Sequence, residues 1–368
     1  MVKRSQMMRR RLVLLFAILG LALASCSGSG DQSALDPKGP IARDIDNLWL
    51  LVFWISVVVF VLVEVALLYA IRKFRERPDE DFRPKQIHGN TRLEVLWTAI
   101  PAVILAVIAV PTVAGVFNVR EIPEGPDVLE VEVIGHQWWF EFRYPAYTNA
   151  AGEPLTTASV LHIPEDVKVN LIMTSADVIH SFWVPALNGK RDLVPGNTSN
   201  LTLIADDPTP SDDPLPGQCA EYCWLAHADM RFKVDVDTQA EFDAWVAEQL
   251  EPVVVPTSGP ELEGWETFQS VCTACHQATV QQPDGTVETI GVSLAPNLGH
   301  FWGRGVFAGA KYEITDDLMA QWLDNPSDLK PMDPDRNDIA NGRVLGMPDF
   351  GLDGTQIDGL VALLKSWE

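Results

Sequence analysis

The sequence predicts a multi-domain membrane protein with a two-helix transmembrane hairpin, an all-β Greek-key domain and an all-α domain. Three observations lead to this prediction. Apolar residues concentrate before position 118, in two runs long enough to cross a bilayer. Short alternating segments separated by turn residues occupy 126–236, and helical periodicity follows in 265–368. A chain of 368 residues has room for roughly two or three folded domains.

The charge of the chain is strongly acidic, with 27 lysines and arginines against 50 aspartates and glutamates and a formal net charge of -23. Such a surface repels phosphate backbones, so we expect no nucleic-acid partner. It favours a basic protein partner instead, through an attraction that weakens as salt is added.

The first residues have the pattern of an export signal, expected to cover 1–25. A basic start is followed by an apolar stretch, 12–24, that is too short to span a bilayer comfortably. The sequence Leu-Ala-Ser-Cys then resembles a bacterial lipobox, so we expect Cys26 to become the lipidated first residue of the mature chain. An ordinary signal peptide with a chance cysteine is the alternative. An external tether is expected over 26–43.

Two transmembrane helices are expected within 44–117, at about 48–71 and 95–117. At about 1.5 Å per residue, the first run reaches roughly 36 Å, which is enough to cross the hydrocarbon core with some tilt. Pro101 and Pro111 lie inside the second run, where neighbouring helices can compensate for the kinks they introduce.

The segment between the two runs is basic. Its lysines and arginines are Arg72, Lys73, Arg75, Arg77, Arg83, Lys85 and Arg92. The positive-inside rule therefore places this loop in the cytoplasm. The N-terminus and everything after Phe117 then lie on the outer side, in agreement with export and lipidation. These features predict a multi-pass protein of the bacterial inner membrane whose folded domains face the periplasm or the exterior.

Glu64 lies in the middle of the first run. An ionised carboxylate facing lipid is costly, so this side chain is expected to face protein or to be protonated. A hydrogen bond to a partner subunit is the favoured interpretation, and a proton relay is the alternative.

The region 126–236 carries a cluster of residues that bind soft metals. Thiolates and a thioether favour copper, and imidazole suits it as well. Two nearby thiolates could bridge two metal ions, each ion also holding one imidazole, with a thioether and a backbone carbonyl as the remaining donors. The expected donors are His180, Cys219, Glu221 (through its carbonyl), Cys223, His227 and Met230. A structural zinc site and a disulfide between the two cysteines are the alternatives.

A second metal motif follows a Pro-rich linker expected over 251–264. Cys272-Thr-Ala-Cys275-His276 is the signature of c-type haem attachment, in which two thiols add to the two vinyl groups and the imidazole reaches the iron. A redox-active dithiol is the alternative, although a βαβ setting for it is missing from the sequence pattern.

The iron of such a haem needs a second axial ligand. Met347 is the favoured residue because it lies in a loop, and Met/His ligation raises the haem potential. Met332 is a weaker candidate, and Met319 lies in a helical stretch where a core position is expected. For His300, solvent exposure or contact with a haem propionate is expected rather than iron ligation.

Several motifs resemble the subunit II family of haem-copper cytochrome c oxidases with a binuclear CuA centre. They are Leu-Glu-Val-Leu-Trp-Thr-Ala-Ile-Pro at 93–101, Gly-His-Gln-Trp-Trp-Phe at 135–140, Asp-Val-Ile-His-Ser-Phe at 177–182, Pro-Gly at 195–196 and Gly-Gln-Cys-Ala-Glu-Tyr-Cys at 217–223. The region 260–368 resembles class I cytochrome c. The resemblance implies a cupredoxin-like CuA domain over 118–250 and a class I cytochrome c domain over 265–368, as in a caa-type oxidase.

The resemblance also implies roles for individual residues. Trp138 would be the point where electrons enter the copper domain, although a plain core aromatic is its commoner fate. Glu94 would lie at the mouth of a proton pathway into subunit I, with a simple interfacial carboxylate as the alternative. The Glu221 side chain would reach a magnesium ion shared with subunit I. Trp224 departs from the family, which usually has glycine there, and Phe140 stands where a second tryptophan is common.

The function implied is electron input to a respiratory oxidase that reduces dioxygen to water and translocates protons. Subunit I and subunit III are the expected partners, together with an electron donor such as a cytochrome c or a cytochrome bc-type complex. The dioxygen-reducing centre would belong to subunit I. A CuA-containing nitric oxide reductase subunit and a membrane copper chaperone or thiol-redox assembly factor are the alternatives.

Overall fold

The structure is a computed structural model that describes residues 32–75, 88–334 and 345–368. The expected signal peptide, Cys26 and the part of the basic loop at 76–87 lie outside the described residues.

Two long apolar helices come first. They are α1 (Pro40–Lys73) and α2 (Thr91–Val119), both longer than the apolar runs that predicted them. The extra length includes residues that support helix starts: Pro40 occupies the first turn of α1, and the Asn90 side chain caps α2 by accepting from two backbone amides. In the part of the chain that the structure describes, the most apolar stretch of each helix has no buried residue. Both helices are long and apolar enough to cross a membrane, by length and composition.

The chain ahead of α1 is hydrogen-bonded to the β region (128–237) rather than extended as a tether. The Lys38 amide donates to the Ala186 carbonyl at 2.8 Å, and the Asp206 amide donates to the Lys38 carbonyl at 3.0 Å. Ala42, in the first turn of α1, is only 3% exposed. The helix thus starts inside the 26–43 segment, at a point held by backbone hydrogen bonds.

Residues 128–237 form two five-stranded sheets, as the alternating pattern predicted. The strands are β1 (Val128–His136), β2 (Trp139–Thr148), β3 (Pro154–Ala158), β4 (Val160–Pro164), β5 (Lys168–Ser175), β6 (His180–Trp183), β7 (Arg191–Leu193), β8 (Ser199–Leu203), β9 (Leu215–Cys219) and β10 (Arg231–Asp237). One sheet has the order β3-β2-β1-β5-β8 and the other β4-β10-β9-β6-β7. Two of the pairings, β1 with β5 and β10 with β4, are parallel.

The two sheets enclose an aromatic core. Phe140 and Phe142 on β2 face Phe182 on β6 and Phe232 on β10, and all four rings are fully buried. Phe182 and Phe232 stack with centroids 4.5 Å apart, and the other close pairs meet edge to face. This packing holds the ends of β6, β9 and β10 in place, and the sulfur and imidazole residues lie at those ends.

After the β region, the chain continues into a helical region that also contains short strands. The elements are α3 (Gln239–Leu250), β11 (Val253–Val254), α4 (Pro260–Val271), β12 (Gln277–Gln281), β13 (Val287–Gly291), β14 (Val306–Phe307), β15 (Tyr312–Glu313), α5 (Asp316–Asp324), α6 (Pro326–Leu329) and α7 (Gly354–Ser366). The all-α prediction therefore misses two small sheets, of three and two strands.

The expected linker at 251–264 is largely structured. Val253 and Val255 are each 5% exposed, and β11 pairs in parallel with β12. The β-branched valines explain the difference, because they favour a strand as soon as a partner strand is available. The prolines of this segment predicted a linker, and composition alone does not reveal the strand pairing.

Helices α4 and α7 cross closely and form the core of the C-terminal region. A Cβ atom at Gly264 would lie 2.0 Å from the carbonyl oxygen of Gly359, so only glycine allows this crossing. Phe268 and Trp367 pack edge to face beside it, each 1% exposed. The Cys-x-x-Cys-His motif follows directly after α4 and is thereby fixed on this core.

Candidate metal centre and the adjoining cavity

The loop between β9 and β10 carries most of the predicted metal donors. Strand β9 ends at Cys219, and the Cys219 amide donates to the Met230 carbonyl at 2.9 Å, which closes the loop at its base. A 3-10 turn over His227–Asp229 shortens the return to β10. The loop residue Trp224 has a φ of 86°, in the left-handed region, at the position where glycine was expected from the resemblance.

Four of the donors are two neighbouring sulfur atoms and the imidazole beside each of them. The Sγ atoms of Cys219 and Cys223 lie 3.8 Å apart. His180 Nδ1 is 3.8 Å from the Cys219 sulfur, and His227 Nδ1 is 3.6 Å from the Cys223 sulfur. The start of β6 and the loop between β9 and β10, called the metal loop below, therefore bring one imidazole to each thiol.

The remaining two donors also converge on the thiols. Met230 Sδ lies 3.8 Å from the Cys223 sulfur, and the Glu221 carbonyl oxygen lies 3.2 Å from the Cys219 sulfur. All six predicted donors are thus gathered at one place. A donor set with a thioether and two thiolates suits copper, whereas a tetrahedral zinc site uses four ligands and no thioether.

The site is shielded from water. His180 and Met230 are fully buried, while Cys223 is 2% and Cys219 5% exposed. Both cysteines are free thiols, so the disulfide alternative is not what the structure contains. A hydrogen bond shared between the two sulfurs lowers the pKa of Cys219, and the same bond raises the pKa of Cys223. Metal binding would release the protons that remain on the two sulfurs, because a thiol binds a metal in its deprotonated form.

Asp177 holds the His180 ring from the side opposite the thiol. Its Oδ1 lies 2.8 Å from His180 Nε2, and its Oδ2 accepts from the Gln137 amide at 2.7 Å. Burial acts to raise the pKa of Asp177, but the hydrogen bonds from His180 and from the Val178 and Gln137 amides outweigh it and lower that pKa. The contact orients Nδ1 of His180 toward the sulfur.

Trp138 contacts the metal loop directly. It is 2% exposed, and its Nε1 donates to the Cys223 carbonyl at 2.7 Å. The side-chain amide of Gln137 donates to the same carbonyl at 3.0 Å. Trp138 is therefore both a core aromatic and a direct neighbour of a predicted copper ligand.

A cavity lies next to Trp138. The haem-type motif lines it through Cys272, Cys275 and His276. Residues of the β region also line it, among them Trp138 and Trp139. Its largely apolar lining, together with the thiols and the imidazole of the motif, suits an apolar cofactor.

Hydrogen bonding and burial set the chemistry of the motif residues. His276 Nδ1 donates to the Pro296 carbonyl at 2.7 Å, which makes Nε2 the acceptor nitrogen. Burial lowers the pKa of His276, and that favours the neutral, ligating imidazole. Burial also raises the pKa of Cys272 to about 12, which argues against the reactive thiolate that a redox dithiol requires.

Arg304 is a cavity residue that the sequence analysis missed. Its Nη2 donates to the Asn297 and Gly299 carbonyls at 2.7 and 3.0 Å, while its buried Nε has no partner within the described residues. Burial lowers the pKa of Arg304 to about 10. A buried cation with an unused donor fits an anionic group, such as a haem propionate, and so the residues present suit that cofactor. No motif in the sequence marks this arginine.

The other predicted residues fall partly inside and partly outside this site. Met347, Met332 and Met319 all line the cavity, so Met347 as the axial ligand stays a prediction. His300 is buried rather than exposed, and its Nε2 lies 2.9 Å from the Glu251 carbonyl. Glu94 lies in the first turn of α2, where its Oε1 accepts from the Asn90 amide.

Two family descriptions match this chain: cytochrome C oxidase subunit II, transmembrane domain, over residues 30–114, and cytochrome C oxidase subunit II, periplasmic domain, over residues 129–236. A cytochrome c oxidase subunit 2 of Alkalihalophilus pseudofirmus is 35% identical over 356 residues, covering 95% of this chain and 95% of the relative. The protein of the same name from Bacillus subtilis is 33% identical, covering 87% and 90%. A solved periplasmic domain of subunit II from Bradyrhizobium japonicum is 25% identical, covers 34% of this chain and 95% of that one, and aligns with a TM-score of 0.30.

Proposed function

Because the chain belongs to the cytochrome c oxidase subunit II family, we propose that it passes electrons from an external donor to subunit I through a fused c-type haem and a binuclear CuA centre. The observation that carries this proposal is the position of Trp138, which lines the cavity of the haem-type motif and donates to the carbonyl of Cys223. The subunit II function is shared with the relatives, and the haem is what we propose in addition to it.

The copper donors of the proposed centre are the six gathered at the loop between β9 and β10. Bound there, two copper ions would supply a one-electron carrier whose charge is shared across the pair. Cys219 and Cys223 would be the thiolates that hold both ions. The buried setting would exclude water and keep the movement of the ligands on electron transfer small. Asp177 would keep Nδ1 of His180 in the ligating orientation.

The C-terminal region is proposed as a class I cytochrome c domain over 265–368. A haem held by Cys272, Cys275 and His276, with Met347 proposed as second axial ligand, would supply a one-electron carrier of raised potential. Arg304 would neutralise a propionate at the buried edge. The alignment with the Alkalihalophilus relative covers 95% of the chain, which supports a C-terminal region shared among such subunits.

The proposed route for electrons crosses one tryptophan. Trp138 reaches from the cavity wall to the Cys223 carbonyl, 2.7 Å from its Nε1, so cavity and thiol pair are joined by consecutive contacts. Holding donor and acceptor sites in one chain removes the need for a diffusive encounter between them.

Subunit I is the partner that would carry the dioxygen-reducing centre and proton translocation, with subunit III as a further expected partner. The Glu221 side chain is exposed beside the metal loop, which supports a magnesium ion shared with subunit I. Glu94, in the first turn of α2, is proposed for the mouth of a proton pathway. The donor would be a cytochrome c or a cytochrome bc-type complex.

The proposed location is the bacterial inner membrane. Both apolar helices would span it, with the β region and the C-terminal region outside and Cys26 lipidated. Metabolic labelling with a radioactive fatty acid tests the anchor, because Cys26→Ser would abolish the label and an unlabelled wild-type chain would contradict it.

The function is tested by metal analysis and electron paramagnetic resonance on the full chain in its oxidase. We expect two coppers that share one unpaired electron, together with one haem iron. Cys219→Ser should remove the copper signal and spare the haem, whereas Cys275→Ser should do the reverse. A single copper that the chain hands to another protein would instead favour the chaperone alternative, and a loaded complex that reduces nitric oxide rather than dioxygen would favour the reductase.

A further inference from the structure

The C-terminal region meets the β region at a buried lysine. Lys330 follows α6 and is 3% exposed. Its Nζ donates to the carbonyl of Trp138 at 2.8 Å, across 192 residues of sequence, and to the carbonyl of Ala308 at 2.8 Å. One lysine amino group therefore joins the two regions at the tryptophan that contacts the metal loop.

A buried lysine at this place needs a specific explanation. Taking an ammonium group out of water costs a large free energy unless hydrogen bonds replace its hydration. An apolar side chain of similar length would fill the same space more cheaply. The benefit of Lys330 must therefore come from its directed bonds, which fix the position of one backbone relative to the other.

The backbone beside Lys330 is shaped to allow this close approach. Gly309 has a φ of +72°, and a Cβ there would lie 2.7 Å from the Trp138 carbonyl oxygen and 2.8 Å from Lys330 Nζ. The Gly309 carbonyl accepts from the Arg231 amide at 2.9 Å. A glycine is thus required where the C-terminal region touches both the tryptophan turn and the first residue of β10.

Further contacts extend this interface between the C-terminal region and the β region, which is called the seam below. Lys311 Nζ donates to Asp229 Oδ2 at 2.9 Å, and Asp229 directly precedes the predicted ligand Met230. On another side, the Asn149 side-chain amide donates to Thr279 Oγ1 on β12 at 2.8 Å. The interface is therefore polar and directional, and it borders the metal loop at two neighbouring positions.

We propose that Lys330 is a positioning residue that docks the C-terminal region on the Trp138 turn and so sets the separation between the haem cavity and the metal loop. Lys330 Nζ donates to the Trp138 carbonyl, and the Trp138 indole donates to the Cys223 carbonyl. Trp138 is therefore held on one side by the C-terminal region and on the other by the metal loop. This inference rests on the proposed function, because the separation matters only if electrons cross it.

The test uses the full chain in its assembled, cofactor-loaded oxidase. Lys330→Met keeps an apolar stem and removes the ammonium, and Gly309→Ala opens the same seam with no change of charge. Lys365→Met is the matched control, since Lys365 is an exposed lysine of the same region, paired with Asp316 at 2.9 Å. We expect electron transfer from haem to copper, followed after a light-induced injection of one electron, to slow by about tenfold or more in the two seam variants and not in the control.

Two further readouts separate positioning from general damage. The copper resonance and the haem potential should stay at their wild-type values in both seam variants. Hydrogen–deuterium exchange at the Arg231 amide, which donates to Gly309, should become faster in Lys330→Met and stay unchanged in Lys365→Met.

The possible results are distinct. Wild-type transfer rates in loaded seam variants would overturn the inference alone, and so would slowing that comes with a changed copper resonance or a shifted haem potential. A wild-type chain that binds neither copper nor haem would overturn the proposed function, and the inference with it. Slower transfer together with faster exchange and unchanged cofactor signatures would support both.

Discussion

Asp177 and Arg304 illustrate how much of the site depends on residues that are not expected to bind a metal themselves. Asp177 lies three residues before His180 and orients the imidazole, and Arg304 leaves a buried donor unused at the wall of the cavity. Neither is a predicted ligand. Each acts through a hydrogen bond whose partner is set by the folded chain, and each suggests a substitution with a measurable result.

Asp177→Asn is expected to lower the copper affinity of the metal loop by about 10–100-fold. One carboxylate now accepts from both His180 Nε2 and the Gln137 amide, and an asparagine must turn its NH₂ toward one of these donors. Copper retained by the full chain against increasing chelator measures the effect. Asp207→Asn, at an exposed carboxylate of the same region, should retain copper as the wild type does, and equal retention by Asp177→Asn would contradict the prediction.

Met347→Leu is expected to lower the haem potential by on the order of 0.1 V or more, because loss of thioether ligation removes the contribution that raises it. Leucine keeps the side-chain volume, so the effect should be electronic. Redox titration of the haem absorbance measures it. Met332→Leu and Met319→Leu serve as controls, since both residues line the same cavity, and a larger shift in either would reassign the axial ligand.

At the scale of elements, the crossing of α4 and α7 determines where the haem-type motif lies. Cys272 follows α4 directly, and this helix approaches α7 so closely that the carbonyl of Gly359 occupies the space of a side chain at Gly264. The strand pairing of β11 with β12 attaches the same motif from its other side. The position of the cavity thus follows from backbone contacts rather than from the motif itself.

Gly264→Ala is expected to reduce the local stability of α4 and α7 by about 1–3 kcal/mol or more, because the new Cβ would overlap the Gly359 carbonyl and the helices must separate. Hydrogen–deuterium exchange of α7 amides in the full chain measures the change. Gly303→Ala is the control, because a Cβ at Gly303 meets nothing within 4 Å. Unchanged exchange in Gly264→Ala would show that the crossing is looser than described.

At the scale of the whole molecule, the charge and the apolar helices separate two kinds of contact. The helices present apolar surface suited to a membrane. The net charge of -23 favours electrostatic attraction of basic proteins from solution. The seam at Lys330 adds a third contact, internal to the chain. Electron delivery from outside and electron passage inside should therefore respond differently to salt.

Raising the ionic strength from about 0.01 to 0.15 M is expected to slow reduction by a basic cytochrome by about tenfold or more, because the Debye length falls from roughly 30 to 8 Å. Stopped-flow measurement of haem reduction at several salt concentrations tests this. The rate of haem reduction by a small uncharged reductant should hardly change with salt. A rate with the cytochrome that is constant or rises with salt would rule out an acidic docking surface.

The sequence by itself determined the order of the parts and the chemistry of the donors. Two apolar runs predict α1 and α2, alternation predicts the sheets, and six residues between 180 and 230 predict the donor set that the structure gathers on two thiols. These features depend on composition, periodicity and short spacings, and such local properties can be read along a chain. The same approach misjudged 251–264, since the pairing of Val253–Val254 needs a strand that begins only at Gln277.

Only the tertiary structure decided how the β region and the C-terminal region meet. The contact of Lys330 with Trp138 spans 192 residues, and no motif marks Gly309 or Arg304 in the sequence. Their importance comes from close approach, burial and hydrogen-bond direction, which arise when distant segments pack together. A motif can specify which atoms bind a metal, whereas the separation between two such motifs is set by the long-range contacts of the folded chain.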